Sequence, residues 1–385
     1  MHLTLHLTNQ CNLNCKYCFV ALGPQRMSQE VAFAAVNFAM QESRPTGLLF
    51  YGGEPLMERA LICDIVSYTQ SLKEKTGHVF YYKMTTNGIL LDEEFLKLAA
   101  GINLSIGFSH DGPAQDDCRT FPDGGKTSAV LADKIPMLLK YQPYAVGMSV
   151  IDLSTVHKAA DVAQFLFDSG FRYITLNINY DAPWTKKSLS ALEKEYKKMA
   201  EMYIRWTRAE EKFYLSPFDQ KILSHLKGEK YNADRRKMAR NQLSVATDGK
   251  LYSSSRYIDN PAFAIGDVFT GIDTEKQRFL YEKGSTPPAS CQECAILTRC
   301  NYAYDNLNRN ESNIANVTSD IPVVSCAHEQ LLTPIADYVA ETLYREQNAL
   351  FIHKHYNELY PVVSLVEDRG VCARGTVLLA QPCNP

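Results

Sequence analysis

Apolar and polar residues alternate at the start of the chain, where Leu3, Leu5 and Leu7 are separated by histidines and threonines. A period of two residues is typical of a β-strand with one buried face. Later strand-like segments are separated by segments whose apolar residues recur every three or four positions, as in amphipathic helices. The further predicted strands are 47–51, 80–85, 104–108, 145–151 and 173–178, and the predicted helices are 29–42, 58–74, 92–98 and 156–169.

This alternation of strands and helices predicts βαβ units and a parallel sheet. About six such units occupy the first 180 residues, which favours an α/β fold with a partial (β/α)6 barrel over a closed eightfold barrel. Beyond them we predict a long amphipathic helix over 188–213, a small hairpin that turns at Asp248-Gly249, and a helix over 330–347. The expected divisions are a barrel over 1–215, a bridging segment with the hairpin over 216–285, a cysteine-rich region over 286–331, and a C-terminal helical segment and tail over 332–385.

The composition is that of a globular protein: 45% of the 385 residues are hydrophobic and 22% are charged. The 40 basic and 43 acidic side chains leave a net charge of −3, so we expect neither a nucleic-acid partner nor binding to an anionic membrane. No apolar run is long enough to span a bilayer, and the first residues lack the features of a signal peptide. We therefore expect a cytoplasmic protein.

Eleven cysteines are many for a cytoplasmic chain, because disulfides are rare in that compartment. Cys11, Cys15 and Cys18 follow the first strand directly, at the end of a strand where parallel α/β folds bind ligands. Thiolates at this spacing suit zinc or an iron–sulfur cluster, since a metal keeps neighbouring thiols deprotonated. Three thiolates would leave one iron of a 4Fe–4S cluster open for another ligand, whereas a structural zinc site would need a distant fourth ligand.

The segment Cys11-Asn12-Leu13-Asn14-Cys15-Lys16-Tyr17-Cys18 resembles the signature of the radical S-adenosylmethionine (radical SAM) superfamily. Three other segments at the ends of predicted strands resemble further motifs of that superfamily, and glycine in such a motif allows close approach of the backbone to a ligand. They are Gly52-Gly53-Glu54-Pro55, Thr86-Asn87-Gly88, and Ser109-His110-Asp111-Gly112-Pro113 with the downstream Arg119. The resemblance implies a 4Fe–4S cluster on Cys11, Cys15 and Cys18, and S-adenosylmethionine binding by Tyr17, Gly52, Gly53, Glu54, Thr86, Asn87, Ser109, Asp111 and Arg119.

The resemblance also implies the chemistry. An external electron donor, flavodoxin or a ferredoxin-like protein, would reduce the cluster, which would pass one electron to the sulfonium of S-adenosylmethionine. Cleavage would give methionine and a 5′-deoxyadenosyl radical that takes a hydrogen atom from the substrate. The protein would position the reactants and exclude side reactions.

A second group of cysteines comprises Cys291, Cys294 and Cys300, with Cys326 downstream. Four thiolates complete a 4Fe–4S cluster or form a tetrahedral zinc site, and spacing alone does not separate the two. The spacing resembles the outer auxiliary-cluster site of the SPASM extension, which occurs in radical SAM enzymes that modify peptides and proteins. The resemblance implies an auxiliary 4Fe–4S cluster in the region 286–331, with a role in electron transfer or as a scaffold.

The cysteines that hold the inner auxiliary cluster in complete SPASM extensions are absent together. Ser254 occupies the cysteine position five residues after Gly249, and Tyr304 occupies another. No cysteine lies between Cys118 and Cys291. We therefore predict two 4Fe–4S clusters, one that binds S-adenosylmethionine and one auxiliary, rather than three.

The resemblance favours an enzyme that modifies a ribosomally synthesised precursor peptide by an oxidative crosslink, which could be a carbon–carbon cyclophane, a thioether or an ether. One alternative is formylglycine formation, as in anaerobic sulfatase-maturating enzymes. Those enzymes typically have both auxiliary clusters and an aspartate beside the position of Ser254, where this chain has Ser255 and Arg256. The other alternative is a non-catalytic, metal-stabilised binding module, against which the intact cofactor motifs argue.

Two features stay unassigned at this level. No residue is identified as the catalytic base, because its position depends on the substrate. Cys372 and Cys383 are expected in a flexible tail, in a lid over the active site, or as a thiol that contacts the substrate.

Overall fold

The computed structural model describes residues 1–42, 44–227, 242–301, 307, 311–318 and 321–356. Tyr304, Cys372 and Cys383 lie outside the described residues, as does most of the expected C-terminal tail. Within the described part of the chain, no helix is long and apolar enough to cross a membrane.

Among the described residues, eleven strands form one sheet, and seven of them are parallel and lie side by side in chain order. These seven are β1 (His2–Thr8), β2 (Thr46–Gly52), β3 (Phe80–Thr86), β4 (Leu104–Ser109), β5 (Val146–Ile151), β6 (Tyr173–Ile178) and β7 (Tyr214–Ser216). On the other side of β1 lie the parallel β8 (Gln242–Val245) and then the antiparallel β9 (Lys250–Tyr252), β10 (Ala264–Asp267) and β11 (Gly271–Ile272). The α/β fold class predicted from the sequence, a parallel sheet of the partial-barrel type with a C-terminal extension, is confirmed.

Helices follow the strands along the chain, as expected for βαβ units. The α-helices are α1 (Gln29–Met40), α2 (Arg59–Thr76), α3 (Glu93–Gly101), α4 (Gln115–Cys118), α5 (Ser128–Leu131), α6 (Lys134–Tyr141), α7 (Ala159–Asp168), α8 (Lys186–Arg208), α9 (Phe218–Lys227), α10 (Thr274–Ser285), α11 (Val323–Arg345) and α12 (Ala349–Tyr356). Short 3₁₀ helices span Pro55–Glu58, Gly112–Ala114, Val156–Lys158, Ser255–Tyr257, Pro261–Phe263, Ala289–Cys291, Leu297–Arg299 and Ile314–Asn316.

The alternation along β1 separates an apolar face from a polar one. Leu3, Leu5 and Leu7 are fully buried in the main hydrophobic core, to which α1 and α2 also contribute. Thr4 and His6 lie on the opposite face of the strand, which we call the inner face of the sheet. Closed (β/α)8 barrels fill their interior with branched apolar side chains, so a polar inner face favours a ligand-binding function.

Among the boundaries that differ from those predicted, three change the organisation of the chain. Helix α8 ends at Arg208 instead of continuing to 213, because the chain turns back to pair β7 with β6. The expected division at residue 215 consequently falls inside β7. Helix α11 begins at Val323, seven residues before its predicted start, and therefore includes Cys326.

The predicted hairpin is present as β9 with its partner β8, but it is not a separate bridging element. His2 of β1 pairs with Gln242 of β8, so the hairpin continues the main sheet. This long-range pairing, together with the contacts of Lys221 on α9 with Arg299 and Glu329, places the cysteine-rich region beside the parallel core.

Candidate functional site

The first three cysteines lie on the loop that leaves the carboxyl end of β1. Cys15 belongs to a two-residue strand, Asn14–Cys15, that pairs with Arg119–Thr120. The backbone N–H of Cys18 donates to the carbonyl of Cys15 at 3.1 Å, which turns the loop so that the third cysteine follows the second closely.

The three thiols lie within electrostatic reach of one another. Burial raises the pKa of Cys15 to about 11; Arg119 opposes the shift, and Cys18 and Cys11 add to it. Without a bound metal the Cys15 thiol stays protonated at neutral pH, whereas iron would bind it as a thiolate. Three thiols on one loop fit a 4Fe–4S cluster that has one open iron.

The glycines after β2 bring the Gly52-Gly53-Glu54 segment against the cysteine loop. The N–H of Gly53 donates to the carbonyl of Thr8 at 2.8 Å, and the N–H of Glu54 donates to that of Gln10 at 2.9 Å. A Cβ atom on Gly53 would lie 2.1 Å from the Gln10 carbonyl oxygen, closer than any real contact. The structure thus gives these glycines a close partner in the backbone just before Cys11, besides the ligand contact expected from the sequence.

Glu54 is a buried carboxylate held by the next motif along the sheet. Its Oε1 accepts from the Thr86 hydroxyl at 2.7 Å and from the Leu56 N–H at 3.0 Å, and its Oε2 accepts from the Asn87 N–H at 2.8 Å. Burial raises the pKa of Glu54 to about 7, although these hydrogen bonds oppose the shift. Such a carboxylate is suited to binding a cation, because a cation would restore its ionised form.

Asn87 connects Glu54 with the cysteine loop. Its side-chain Nδ2 donates to Asn12 Oδ1 at 2.7 Å and lies 3.8 Å from Cys11 Sγ. The structure therefore brings together three of the motifs predicted from sequence, at the ends of β1, β2 and β3.

Asp111 organises the fourth motif. It accepts hydrogen bonds from the hydroxyl of Tyr17, from Arg119 Nε at 3.1 Å, and from Ser149 Oγ at 2.6 Å. Asp111 is 2% exposed, and its carboxylate is hydrogen-bonded to other groups of the protein. Its observed contacts hold Tyr17 and Arg119 in place, and Ser109, the last residue of β4, ends at the same edge of the sheet.

Sequence reasoning missed His6, which lies beside this site on the inner face of β1. Its ring is 2% exposed, and neither nitrogen has a hydrogen-bond partner among the described residues. The ring meets Tyr51 edge-on at 5.1 Å, and Tyr51 stacks with Phe19 of the cysteine loop. A histidine at a polar position of the alternating first strand was the available signal.

The second group of cysteines also converges. Cys291, Cys294, Cys300 and Cys326 line one cavity, together with the apolar side chains of Ile296, Leu297 and Ile321. Cys291 and Cys294 are joined by a backbone hydrogen bond of 3.1 Å, and Cys326 comes from the first turn of α11. Four thiols around one cavity match the number of donors that a 4Fe–4S cluster or a zinc site requires, although no three metal-binding side chains among the described residues are placed to hold a single metal ion.

Ser254, at the expected position of an inner-cluster cysteine, has a local structural role. Its side chain accepts from the N–H of Arg256 and begins the 3₁₀ helix Ser255–Tyr257. The absence of an inner cluster stays a prediction.

Comparison with known sequences agrees with the geometry of the first site. Residues 5–166 match the sequence model of the Radical SAM superfamily, and this part of the chain is a radical SAM domain. An uncharacterised protein of Methanocaldococcus jannaschii is 26% identical over 179 residues, which cover 46% of this chain and 62% of the relative. The GTP 3′,8-cyclase of Corynebacterium glutamicum is 32% identical over 114 residues, and the match spans 27% of this chain and only 30% of that enzyme. The cysteine-type anaerobic sulfatase-maturating enzyme of Clostridium perfringens is 22% identical over 270 residues, which cover 64% of this chain and 72% of that enzyme.

Two solved structures resemble the whole fold. Native anSMEcpe with bound AdoMet and Cp18Cys peptide has a TM-score of 0.72 at 18% identity, and the match covers 89% of this chain and 99% of that one. Streptococcus suis SuiB, solved with the precursor peptide SuiA, has a TM-score of 0.55 at 13% identity and covers 78% of this chain and 72% of that one. At these identities the likeness establishes a shared fold.

Proposed function

We propose that this protein is a radical SAM maturase that forms an oxidative crosslink in a ribosomally synthesised peptide. The observation that carries the proposal is the four-cysteine cavity in the same chain as the radical SAM site. Two neighbours in fold, anSMEcpe and SuiB, were solved with peptides, which supports a peptide as the substrate class.

Each motif of the first site has a proposed binding role. Cys11, Cys15 and Cys18 hold a 4Fe–4S cluster, and Glu54, held by Thr86 and Asn87, binds the amino group of S-adenosylmethionine. Arg119, Ser109 and Tyr17 line the rest of the cofactor site, with Asp111 fixing Arg119 and Tyr17. When bound, the cluster and S-adenosylmethionine supply a radical that can remove a hydrogen atom from an unactivated carbon.

The second site provides a place for the electron that a crosslinking reaction must remove from the peptide. A crosslink removes two hydrogen atoms from the peptide: one leaves as an atom, and the other leaves as a proton and an electron. Cys291, Cys294, Cys300 and Cys326 would hold an auxiliary 4Fe–4S cluster, which would supply an acceptor for this electron. A flavodoxin or ferredoxin-like protein would be the external reductant for the first site.

Formylglycine formation is the second candidate, because the sulfatase-maturating enzyme matches 64% of the chain and anSMEcpe shares its fold. Ser254-Ser255-Arg256 argues against it, since it lacks the expected cysteine and the neighbouring aspartate. A sulfatase-derived cysteine peptide discriminates the two: formylglycine formation converts that cysteine to an aldehyde, whereas a crosslinking enzyme leaves it unchanged. Mass spectrometry of the peptide provides the readout.

The first experiment is to measure iron, acid-labile sulfide and zinc per chain after anaerobic reconstitution. Two clusters require about eight irons and eight sulfides. About four irons with one zinc would make the second site structural and remove its role as electron acceptor. About twelve irons would contradict the predicted absence of the inner cluster.

The second experiment is to measure 5′-deoxyadenosine release from S-adenosylmethionine under dithionite. We expect release from the reconstituted protein, none from Cys15→Ala, and normal release from Cys63→Ala, a cysteine that lies on α2 outside both groups. A protein with its full iron content that releases none would instead be a metal-stabilised binding module.

A further inference from the structure

A buried ion pair lies directly against the second cysteine site. Glu329 is one turn after Cys326 on α11 and lines the same cavity as the four cysteines. Its side chain is 1% exposed and is paired with Lys221 of α9, whose side chain is fully buried. Glu329 therefore places a negative charge, and Lys221 a compensating positive charge, next to the four thiols.

The pair also holds the backbone on both sides of Cys300. Lys221 Nζ donates to the carbonyl of Arg299 at 2.8 Å, and Glu329 Oε2 accepts from the N–H of Asn301 at 3.2 Å. The other carboxylate oxygen, Oε1, is inaccessible to solvent and has no hydrogen-bond partner among the described residues. One oxygen of Glu329 is thus engaged with the protein, while the other faces no hydrogen-bond donor among the described residues.

A buried ion pair is weak evidence for added stability. Bringing two charges into the interior costs several kcal/mol per ion, and well-packed apolar residues at such positions are often at least as stable. Charges in a weakly polarisable, apolar enclosure act strongly on neighbouring charges, and the potential of an iron–sulfur cluster depends on the charge around it. Reduction adds one negative charge to a cluster, so a nearby carboxylate disfavours it and a nearby ammonium favours it.

We propose that Glu329 and Lys221 set the reduction potential of an iron–sulfur cluster held by Cys291, Cys294, Cys300 and Cys326. This inference rests on the proposed assignment of the second site as a redox cluster. Glu329 lowers the potential and Lys221 raises it, so that the cluster accepts an electron without holding it too tightly. Both are positioning residues, since they also fix the backbone around Cys300.

The test is a potentiometric titration of the reconstituted full chain, followed by electron paramagnetic resonance. The signal of the second cluster is identified as the one that does not change on addition of S-adenosylmethionine. Glu329→Gln is expected to raise its midpoint so that the ratio of reduced to oxidised cluster rises at least tenfold, or 59 mV for one electron. The double variant Glu329→Gln with Lys221→Met is expected to return the midpoint toward that of the unsubstituted protein.

A matched control is Glu346→Gln at the end of the same helix, where the carboxylate pairs with Arg208 at the surface. It is expected to leave the midpoint unchanged. If the pair had only a structural role, the second substitution would not return the midpoint potential toward that of the unsubstituted protein. An unchanged or lowered midpoint in Glu329→Gln overturns the inference.

The iron content distinguishes a failure of the redox assignment of the second site from a failure of the inference about Glu329 and Lys221. If the unsubstituted protein holds about four irons and one zinc, the redox assignment of the second site fails before the inference is tested. If Glu329→Gln alone loses iron, Lys221→Gln replaces it: a lower midpoint supports the inference, and an unchanged or higher one overturns it.

Discussion

Arg119 lies against Cys15, with its Nη1 atom 3.9 Å from the thiol sulfur. The two residues are also paired in register on the two-residue strands, so backbone and side chain hold them together. A cation at this place favours the thiolate form that binds iron. Because Arg119 Nε is bound by Asp111, the cation is oriented before any ligand arrives.

Arg119→Met is therefore expected to weaken the first site in two ways. It leaves the buried carboxylate of Asp111 without its cation, which costs about 3–5 kcal/mol of unfolding free energy. It also lowers iron per chain by up to half, because Cys15 loses its compensating charge. Iron analysis and anaerobic denaturation measure the two effects.

Lys158→Met serves as the control, because Lys158 pairs with Asp117 at the surface close to the same segment. Surface pairs contribute about 0–1 kcal/mol, and iron content is expected to stay unchanged. Equal effects of the two substitutions would show that Arg119 has no special relation to Cys15.

Gly53→Ala tests whether the end of β2 positions the cysteine loop. The added methyl group would overlap the carbonyl of Gln10, so the loop must shift, and we expect the first cluster to be lost. Iron per chain would then fall from about eight to about four. Gly101→Ala is the matched control, since nothing lies within 4 Å of its added Cβ, and it is expected to retain all of the iron.

Glu54 gives a pH dependence to cofactor binding. Because burial raises its pKa to about 7, the carboxyl is neutral below that pH and ionised above it. An ammonium group binds the ionised form, so S-adenosylmethionine should bind more tightly as the pH rises through 7. Glu54→Gln is expected to weaken binding about 10- to 100-fold, the loss of one charged hydrogen bond, and to abolish this dependence.

Equilibrium dialysis of the reconstituted protein against labelled S-adenosylmethionine measures both effects. Glu58→Gln is the control, because Glu58 binds Arg26 instead of the motif residues. A pH profile that persists in Glu54→Gln would assign the titration to another group.

The buried His6 is expected to make the folded protein less stable in acid. Burial lowers its pKa from 6.5 to about 4, so between these values the unfolded chain binds a proton that the folded chain does not. This part of the unfolding free energy is fully present above pH 6.5 and is lost as the pH falls toward 4. For one proton, the unfolding free energy changes by about 1.4 kcal/mol per pH unit.

Between pH 7 and pH 5, the unfolding free energy of His6→Gln should therefore fall by about 2 kcal/mol less than that of the unsubstituted protein. Anaerobic denaturant titrations at the two pH values measure the difference. His157→Gln, at an exposed position, is expected to keep the original slope. Identical slopes in all three proteins would mean that His6 is protonated in the fold or exposed to water.

The sequence by itself determined the local features of this protein. The spacing of Cys11, Cys15 and Cys18, the alternation along β1 and the order of strands and helices all depend on residues close together in the chain. Parallel βαβ units place successive strand ends at one edge, so the convergence of Glu54 and Asn87 could also be predicted.

Only the tertiary structure decided the features that join distant segments. Arg119 meets Cys15 across 104 positions, and Glu329 meets Lys221 across 108. The pairing of β8 with β1 and the placement of Cys326 at one cavity with Cys291 and Cys294 belong to the same class. These contacts depend on strand register and helix packing, which are set by burial over the whole core and leave no periodic trace in the chain.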